Sequence, residues 1–180
     1  MVYGGYDSDN YVMDWTGWIP RERATLCFIT DGDSVLLIHK KRGLGAGKIN
    51  APGGKIDPGE TALQSAVRET VEEVGLTPLN PEARGELLFQ FQDGYSLHCT
   101  VYLATGFSGE AIETAEAVPL WTRREEIPFE KMWADDRFWL PLLLDGQRFV
   151  GRFLFDGDTM LSREIEVLAE PSVAGAAAIT

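Results

Sequence analysis

Between Gly43 and Gly75 the chain changes character twice, and this passage limits the fold more than any other. Gly43-Leu44-Gly45-Ala46-Gly47 and Ala51-Pro52-Gly53-Gly54 are too rich in glycine to form helix or central strand. Asp57-Pro58-Gly59-Glu60 then places Pro and Gly at the central positions of a type II turn. From Thr61 to Val74 the periodicity is helical, and Gly75 is a natural C-terminal stop. At about 100° per residue, Leu63, Val67, Thr70, Val71 and Val74 form one apolar stripe, with Glu69, Glu72 and Glu73 on the far side. The expectation is a helix that packs by its stripe and turns three carboxylates away from it.

Around this passage the signals are those of strands. Thr25 to Thr30 and Val35 to His39 flank Asp31-Gly32-Asp33-Ser34, a hairpin signal. Leu87 to Gln92 and Tyr95 to Thr105 flank Asp93-Gly94, the strongest short hairpin signal in the chain. Val118 to Thr122 reads as a short strand and Asp136 to Leu144 as a short helix carrying Pro141. Arg148 to Phe155 and Thr159 to Val167 form a closing hairpin around Asp156-Gly157-Asp158. Residues 1–22 lack periodicity and read as an irregular extension, whose Trp15 and Trp18 pack on the domain or on a second copy. The Ala/Gly-rich end, 169–180, reads as a flexible tail. With no repeat and no second composition regime, one mixed α and β domain over 23–168 accounts for the rest.

Composition narrows the function classes. Of 180 residues, 44% are apolar and 24% charged, as in a soluble globular chain. Sixteen Lys and Arg against 28 Asp and Glu leave a net charge of −12. That disfavours a nucleic acid backbone as partner, because such binding relies on Lys and Arg displacing counterions. No leader-like or membrane-spanning apolar run is present, so the expected location is the cytoplasm, with no membrane partner. Cys27 and Cys99 lie in apolar strand-like stretches and are expected as buried free thiols.

Glu69, Glu72 and Glu73 stand at i, i+3 and i+4, so their carboxylates converge within one helical turn. Three like charges this close raise one another's pKa unless a cation sits among them. An all-oxygen, highly negative donor set suits Mg²⁺, with Mn²⁺ as alternative.

Gly54, Glu60, Arg68-Glu69, Glu72-Glu73, Gly75 and Leu76 reproduce the spacing of the Nudix signature, and the chain resembles the Nudix hydrolase family on those residues. Thr70 departs, standing where the family has a larger aliphatic residue, and a small stability effect is expected. The resemblance implies an α+β fold, an α/β/α sandwich with a mixed central β-sheet and a catalytic loop-helix-loop. It also implies a metal-dependent hydrolysis with Glu69, Glu72 and Glu73 as metal ligands and as the source of the base. Arg68 is expected to pair with Glu60 or a neighbouring helix carboxylate and to orient the cluster. Gly53 or Gly54 can offer a carbonyl to the metal, and Glu116, or alternatively Glu113, a further acidic ligand.

Flanking segments resemble one branch of that family, the hydrolases of oxidised purine nucleoside triphosphates. The matching pieces are Lys40-Lys41-Arg42-Gly43-Leu44-Gly45-Ala46-Gly47-Lys48-Ile49-Asn50, Ile127-Pro128-Phe129-Glu130-Lys131-Met132-Trp133-Ala134-Asp135-Asp136, and Phe138 to Leu144. The resemblance implies a purine stacked on Trp133 and read by Asn50, Asp135 and Asp136, with Lys40, Thr25 and Phe89 at further pocket positions. Leu44 and Ala117 replace an aromatic and a methionine of that branch. A second methionine position falls on His98 or Leu97, depending on a one-residue gap. These changes are expected to weaken the grip on the base. The expected activity is Mg²⁺-dependent cleavage of purine nucleoside triphosphates, such as 8-oxo-dGTP and 2-hydroxy-dATP, to monophosphate and pyrophosphate, by a monomer or homodimer. The rivals are another Nudix substrate (ADP-ribose, dinucleoside polyphosphates or capped RNA) and a Nudix-fold nucleotide sensor without turnover.

Overall fold

Each of the three Asp/Gly turns singled out above closes an antiparallel strand pair. A computed structural model describes residues 11–170. The pairs are β1 (Glu22–Asp31) with β2 (Ser34–Lys40), β6 (Glu82–Phe91) with β7 (Ser96–Ala104), and β10 (Arg148–Asp156) with β11 (Thr159–Leu168). Parallel pairing of β1 with β7 and of β6 with β10 joins the hairpins into a mixed sheet. Its order is β11-β10-β6-β7-β1-β2, with β3 (Ile49–Asn50) at the far edge. The glycine-rich passage, expected to form neither helix nor central strand, adds two short peripheral pieces at this end. They are β3 on β2 and β4 (Gly53–Lys55) on β1. Such short strands show no period-two pattern that a sequence reading could detect. β9 (Ala117–Arg123) also pairs with β2, and β5 (Thr77–Pro78) with β8 (Phe107–Ser108) forms a separate two-stranded piece.

Alternation along β1 and β2 sends side chains into two cores, one on each face. Phe28, Val35 and Leu37 join Trp139, Leu140 and Leu143 of α2 (Asp136–Leu144). Cys27, Ile29, Leu36 and Ile38 join Ala66 and Val74 of α1 (Ala62–Val74). The result is the α+β sandwich that the family resemblance implied. Both cysteines are free and buried.

α1 starts and stops where its residues direct. Thr61 caps it with a reciprocal box: Gln64 N donates to Thr61 Oγ1 at 3.1 Å and Thr61 N to Gln64 Oε1 at 2.9 Å. Gly75 closes it in the left-handed region at φ 76°. The expected apolar stripe is a correction, because Leu63 and Val71 are 45% and 43% exposed. The buried face is Ser65, Ala66, Thr70, Glu73 and Val74. Small side chains there let the helix lie close on β1 and β4, with Ser65 Oγ 3.3 Å from Thr25 Oγ1. Close approach won over burial of the largest aliphatics, and it turns Glu69 and Glu73 inward.

Ahead of β1, Trp18 Nε1 donates to Gln90 Oε1 at 3.0 Å and Arg21 N to Ser96 Oγ at 2.9 Å, so this stretch lies on the domain's own β6–β7 hairpin. The expectation of a flexible tail falls largely on 171–180, outside the described residues, as do 1–10. Among the described residues no helix is long and apolar enough to cross a membrane.

Candidate active site

A cavity of about 380 Å³ opens between β1, β4, the 42–50 loop, α1 and the start of α2. At one end stand Glu69, Glu73, Glu116, Lys40, Gly53 and Gly54, and further round the wall Thr25, Asn50, Phe89, Trp133, Asp135 and Asp136. Residues far apart in sequence and matched for different reasons therefore share one site. Glu72 is the exception, half exposed and outside the lining.

Arg68 organises the acidic end. Its Nε donates to Glu60 Oε1 at 2.7 Å and Nη2 to Glu60 Oε2 at 2.9 Å, while Nη1 donates to Glu69 at 2.8 Å and Glu72 at 3.2 Å. Arg68 thus pairs both with Glu60 and with the helix carboxylates. The Arg68 guanidinium and the Asp57 amide hold the Glu60 carboxyl down at about 2. Glu73 goes the other way, pushed up to about 7 by burial despite Lys40 Nζ at 3.8 Å from Oε1 and the Gly53 amide at 3.3 Å from Oε2. Burial also raises Glu69.

The three glutamates do not converge as the spacing alone suggested. Among the described residues no three acidic, Cys or His side chains are already gathered as a metal cage. Arg68 draws Glu69 and Glu72 to itself, and Lys40 draws Glu73. The donor set nonetheless fits a hard divalent cation, being all oxygen, with Glu73 buried and Glu69 half-buried where ionisation is costly. Gly54 makes room for it: a Cβ there would meet Glu69 Oε1 at 2.5 Å. Gly53 contributes its amide to Glu73. Glu116 lines the cavity, held loosely by Arg42 Nη2 at 3.4 Å, whereas Glu113 is exposed and tied to Lys41 at 2.6 Å.

At the other end Asp135 and Asp136 are both buried, and Asp135 Oδ1 and Asp136 Oδ2 have no hydrogen-bond partner among the described residues. Asp135 stands at the start of α2 but makes no side-chain cap. Instead Oδ2 accepts a 2.8 Å bond from Trp139 Nε1, one helical turn on. Burial raises Asp135 to about 6, and burial with the Asp135 charge beside it raises Asp136 well beyond the ordinary range. Trp133 is fixed edge-on to Phe155 at 5.7 Å, with Lys48 Nζ 4.9 Å from its ring centre. Gly45 lets the loop pass beside it, since a Cβ there would sit 2.9 Å from Trp133 Nε1. Asn50 Oδ1 accepts from the Ala51 amide at 2.8 Å, leaving its NH₂ free of that bond. Phe89 is both wall and core, stacked on Phe153 at 5.4 Å.

The structure decides the one-residue ambiguity on β7. Leu97 lines the cavity, and His98 projects to the opposite face between Arg23 and Glu86. Leu44 lines the mouth while 48% exposed. Sequence reading missed Trp139, Phe91 and Tyr95. The i, i+4 spacing of Asp135 and Trp139 was a legible signal for the first.

The NUDIX domain family matches residues 20–143. The chain belongs to the Nudix hydrolase family. Among curated Nudix relatives, the oxidized purine nucleoside triphosphate hydrolase of Danio rerio is 42% identical over 138 residues, 76% of this chain and 88% of that protein. The protein of the same description from Mus musculus is 40% identical over 147 residues, 79% of this chain and 94% of that one. Among solved structures, a MutT protein from Bacillus halodurans superposes with a TM-score of 0.73 at 32% identity, covering 81% of this chain and 97% of that one. Nudix hydrolases generally use a divalent metal, which agrees with the donor set described above.

Proposed function

We propose that this Nudix hydrolase cleaves purine nucleoside triphosphates, including oxidised ones such as 8-oxo-dGTP and 2-hydroxy-dATP, to the monophosphate and pyrophosphate. One water is consumed and the α–β phosphoanhydride is broken. The observation that carries the reading is the buried Asp135–Asp136 pair in the cavity wall, each with one oxygen unpartnered among the described residues. Two carboxyl groups so buried side by side do not both ionise, so Asp136 keeps its proton and can donate while Asp135 accepts. A pair that both gives and takes a hydrogen bond fits a purine edge in either oxo or amino form. Trp133 supplies the flat surface for stacking and Asn50 a second polar contact. Thr25, Lys40 and Phe89 complete the binding residues. The relatives' descriptions name the same substrate class.

Glu69, Glu72, Glu73 and Glu116, with Gly53 and Gly54, would hold Mg²⁺, for which Mn²⁺ can substitute. A divalent cation held there neutralises phosphate oxygens and favours ionisation of the attacking water. Glu69, Glu72 or Glu73 accepts the water's proton. Arg68 keeps the helix carboxylates in place through Glu60, and Lys40 adds positive charge at the phosphate end of an acidic protein. The enzyme works in the cytoplasm on free nucleotides, as a monomer or homodimer, without a nucleic acid or membrane partner.

The test is a comparison of kcat/KM with Mg²⁺ for 8-oxo-dGTP, 2-hydroxy-dATP, dGTP, dATP, ADP-ribose and diadenosine polyphosphates. Purine triphosphates should lead, and Glu72→Gln should fold normally yet lose turnover. A preference for ADP-ribose or the dinucleotides would overturn the substrate assignment. Turnover retained in Glu72→Gln would overturn its role.

A further inference from the structure

Tyr95 is tied to its surroundings at every polar atom. Its carbonyl accepts from the Phe91 amide at 2.9 Å and Gln90 Nε2 at 3.1 Å, and its amide donates to Asp93 Oδ1 at 2.9 Å. Its hydroxyl donates to Glu22 Oε2, and Glu22 Oε1 is taken by Lys55 Nζ at 2.7 Å. Burial and the Glu22 charge both raise the phenol pKa, so the hydroxyl keeps its proton and donates. Tyr95 is among the residues that line the cavity. Phe91 stands between two aromatic neighbours, 5.6 Å from Tyr95 and 6.3 Å from Trp133, so the three rings continue one wall.

That wall changes the expectation drawn from Leu44. Loss of an aromatic in the 42–50 loop leaves a half-exposed aliphatic at the mouth. An aromatic surface arrives instead from the turn before β7, where no pocket residue was expected. A tyrosine in a hairpin connection ordinarily has rotamer freedom to lose when it meets a ligand. Here the Glu22 and Lys55 contacts have already fixed it, and preorganised contacts are the ones that lower KM.

Resting on the purine reading above, we infer that Tyr95 is a specificity-determining residue of the base site, and that Glu22 is a positioning residue acting through it. The Glu22–Lys55 pair joins the base wall to the glycine strand beside the acidic end, since Lys55 directly follows Gly54 in β4.

The experiment measures kcat, KM and Tm for Tyr95→Leu, Tyr95→Phe, Glu22→Ala and the Tyr95→Phe/Glu22→Ala double variant on 8-oxo-dGTP and dGTP. Binding of 8-oxo-dGMP is followed in parallel by tryptophan fluorescence. Tyr95→Leu should raise KM and the monophosphate Kd about tenfold with kcat within about twofold, the size of one aromatic contact. Glu22→Ala should raise KM about threefold and add nothing in the Tyr95→Phe background, because both remove the same link. Unchanged KM and Kd in Tyr95→Leu would overturn the inference. So would a fall in kcat and Tm alone, which would mark the tyrosine as a staple of the fold. Were Glu22→Ala unable to fold, Tyr95→Phe alone reads the link. A parent enzyme that neither cleaves nor binds these purines would remove the proposed function and this inference together, an outcome distinct from an unaffected variant of an active parent.

Discussion

Arg68 grips Glu60 with two parallel hydrogen bonds, Nε to Oε1 at 2.7 Å and Nη2 to Oε2 at 2.9 Å, across the turn that leads into α1. The remaining nitrogen reaches Glu69 and Glu72, so a single planar group sets the loop and the helix carboxylates together. Lysine keeps the charge but offers no fork. Arg68→Lys should therefore lower kcat/KM by about ten- to a hundredfold, the usual cost of losing an orienting partner of metal ligands. Parallel assays at saturating Mg²⁺ check this, and activity within twofold of the parent would show that the fork is dispensable.

Thr70 departs from the family pattern without harm to the helix. It is fully buried, and its hydroxyl donates back to Ala66 O at 2.7 Å, so the polar atom is satisfied within its own helix. Thr70→Val removes that bond while nearly keeping the shape, and the Ala66 carbonyl keeps its place in the helix ladder. Denaturant unfolding should shift by no more than about 1 kcal/mol in either direction, with kcat unchanged. A larger loss would mean that the hydroxyl supports more than its own turn.

The Asp135–Asp136 pair gives a pH dependence whose sign follows from burial. Free aspartate titrates near 3.8, whereas Asp135 is raised to about 6 and Asp136 further. Groups raised on folding stabilise the fold below their unfolded value, and that contribution is lost as pH rises through the folded values. The pair therefore weighs on stability above about pH 6. Asp136→Asn removes one of the two acids, so its Tm relative to the parent should rise between pH 5 and pH 8. The same variant fixes donor and acceptor, and the activity ratio among purines should move about tenfold. A Tm difference that is flat with pH, or an unaltered purine profile, would separate the pair from these roles.

What the sequence made legible depended on how local its cause was. The three Asp/Gly turns and the span of α1 rest on neighbouring residues, and they were readable to within a residue or so at the helix ends. The parallel pairings of β1 with β7 and β6 with β10 were not, because only the folded sheet brings those strands together. β6 begins at Glu82, well before the readable Leu87, since its charged first residues are held by pairing and not by an alternating pattern. The phase of α1 was misread because close approach at Ser65 and Ala66 decides it, and small residues leave no hydrophobic signal. At the site, spacing brought forward the helix carboxylates, and the family resemblance the other residues that now share one cavity with Glu69 and Glu73. Neither could show that Glu72 stays outside, that Leu97 rather than His98 faces inward, or that Tyr95 arrives from a turn.

Two adjacent glycines fail in different ways when a methyl group is added. At Gly53 a Cβ would stand 2.0 Å from the Thr25 carbonyl oxygen, which is backbone and paired within β1 and β4. That strand cannot yield without losing its register beside the helix, so Gly53→Ala should cost stability on the order of 2 kcal/mol or more. At Gly54 the obstacle is the Glu69 carboxylate, at 2.5 Å, and a side-chain end can swing aside. Gly54→Ala should then fold with a Tm close to the parent's while losing most turnover in the presence of a divalent metal, because the glutamate it displaces belongs to the acidic end of the site. Thermal melting and kcat measured on both variants separate the two cases. Equal loss of stability in both would show that Glu69 is held as rigidly as backbone, and full activity in Gly54→Ala would show that its observed position is not needed for turnover.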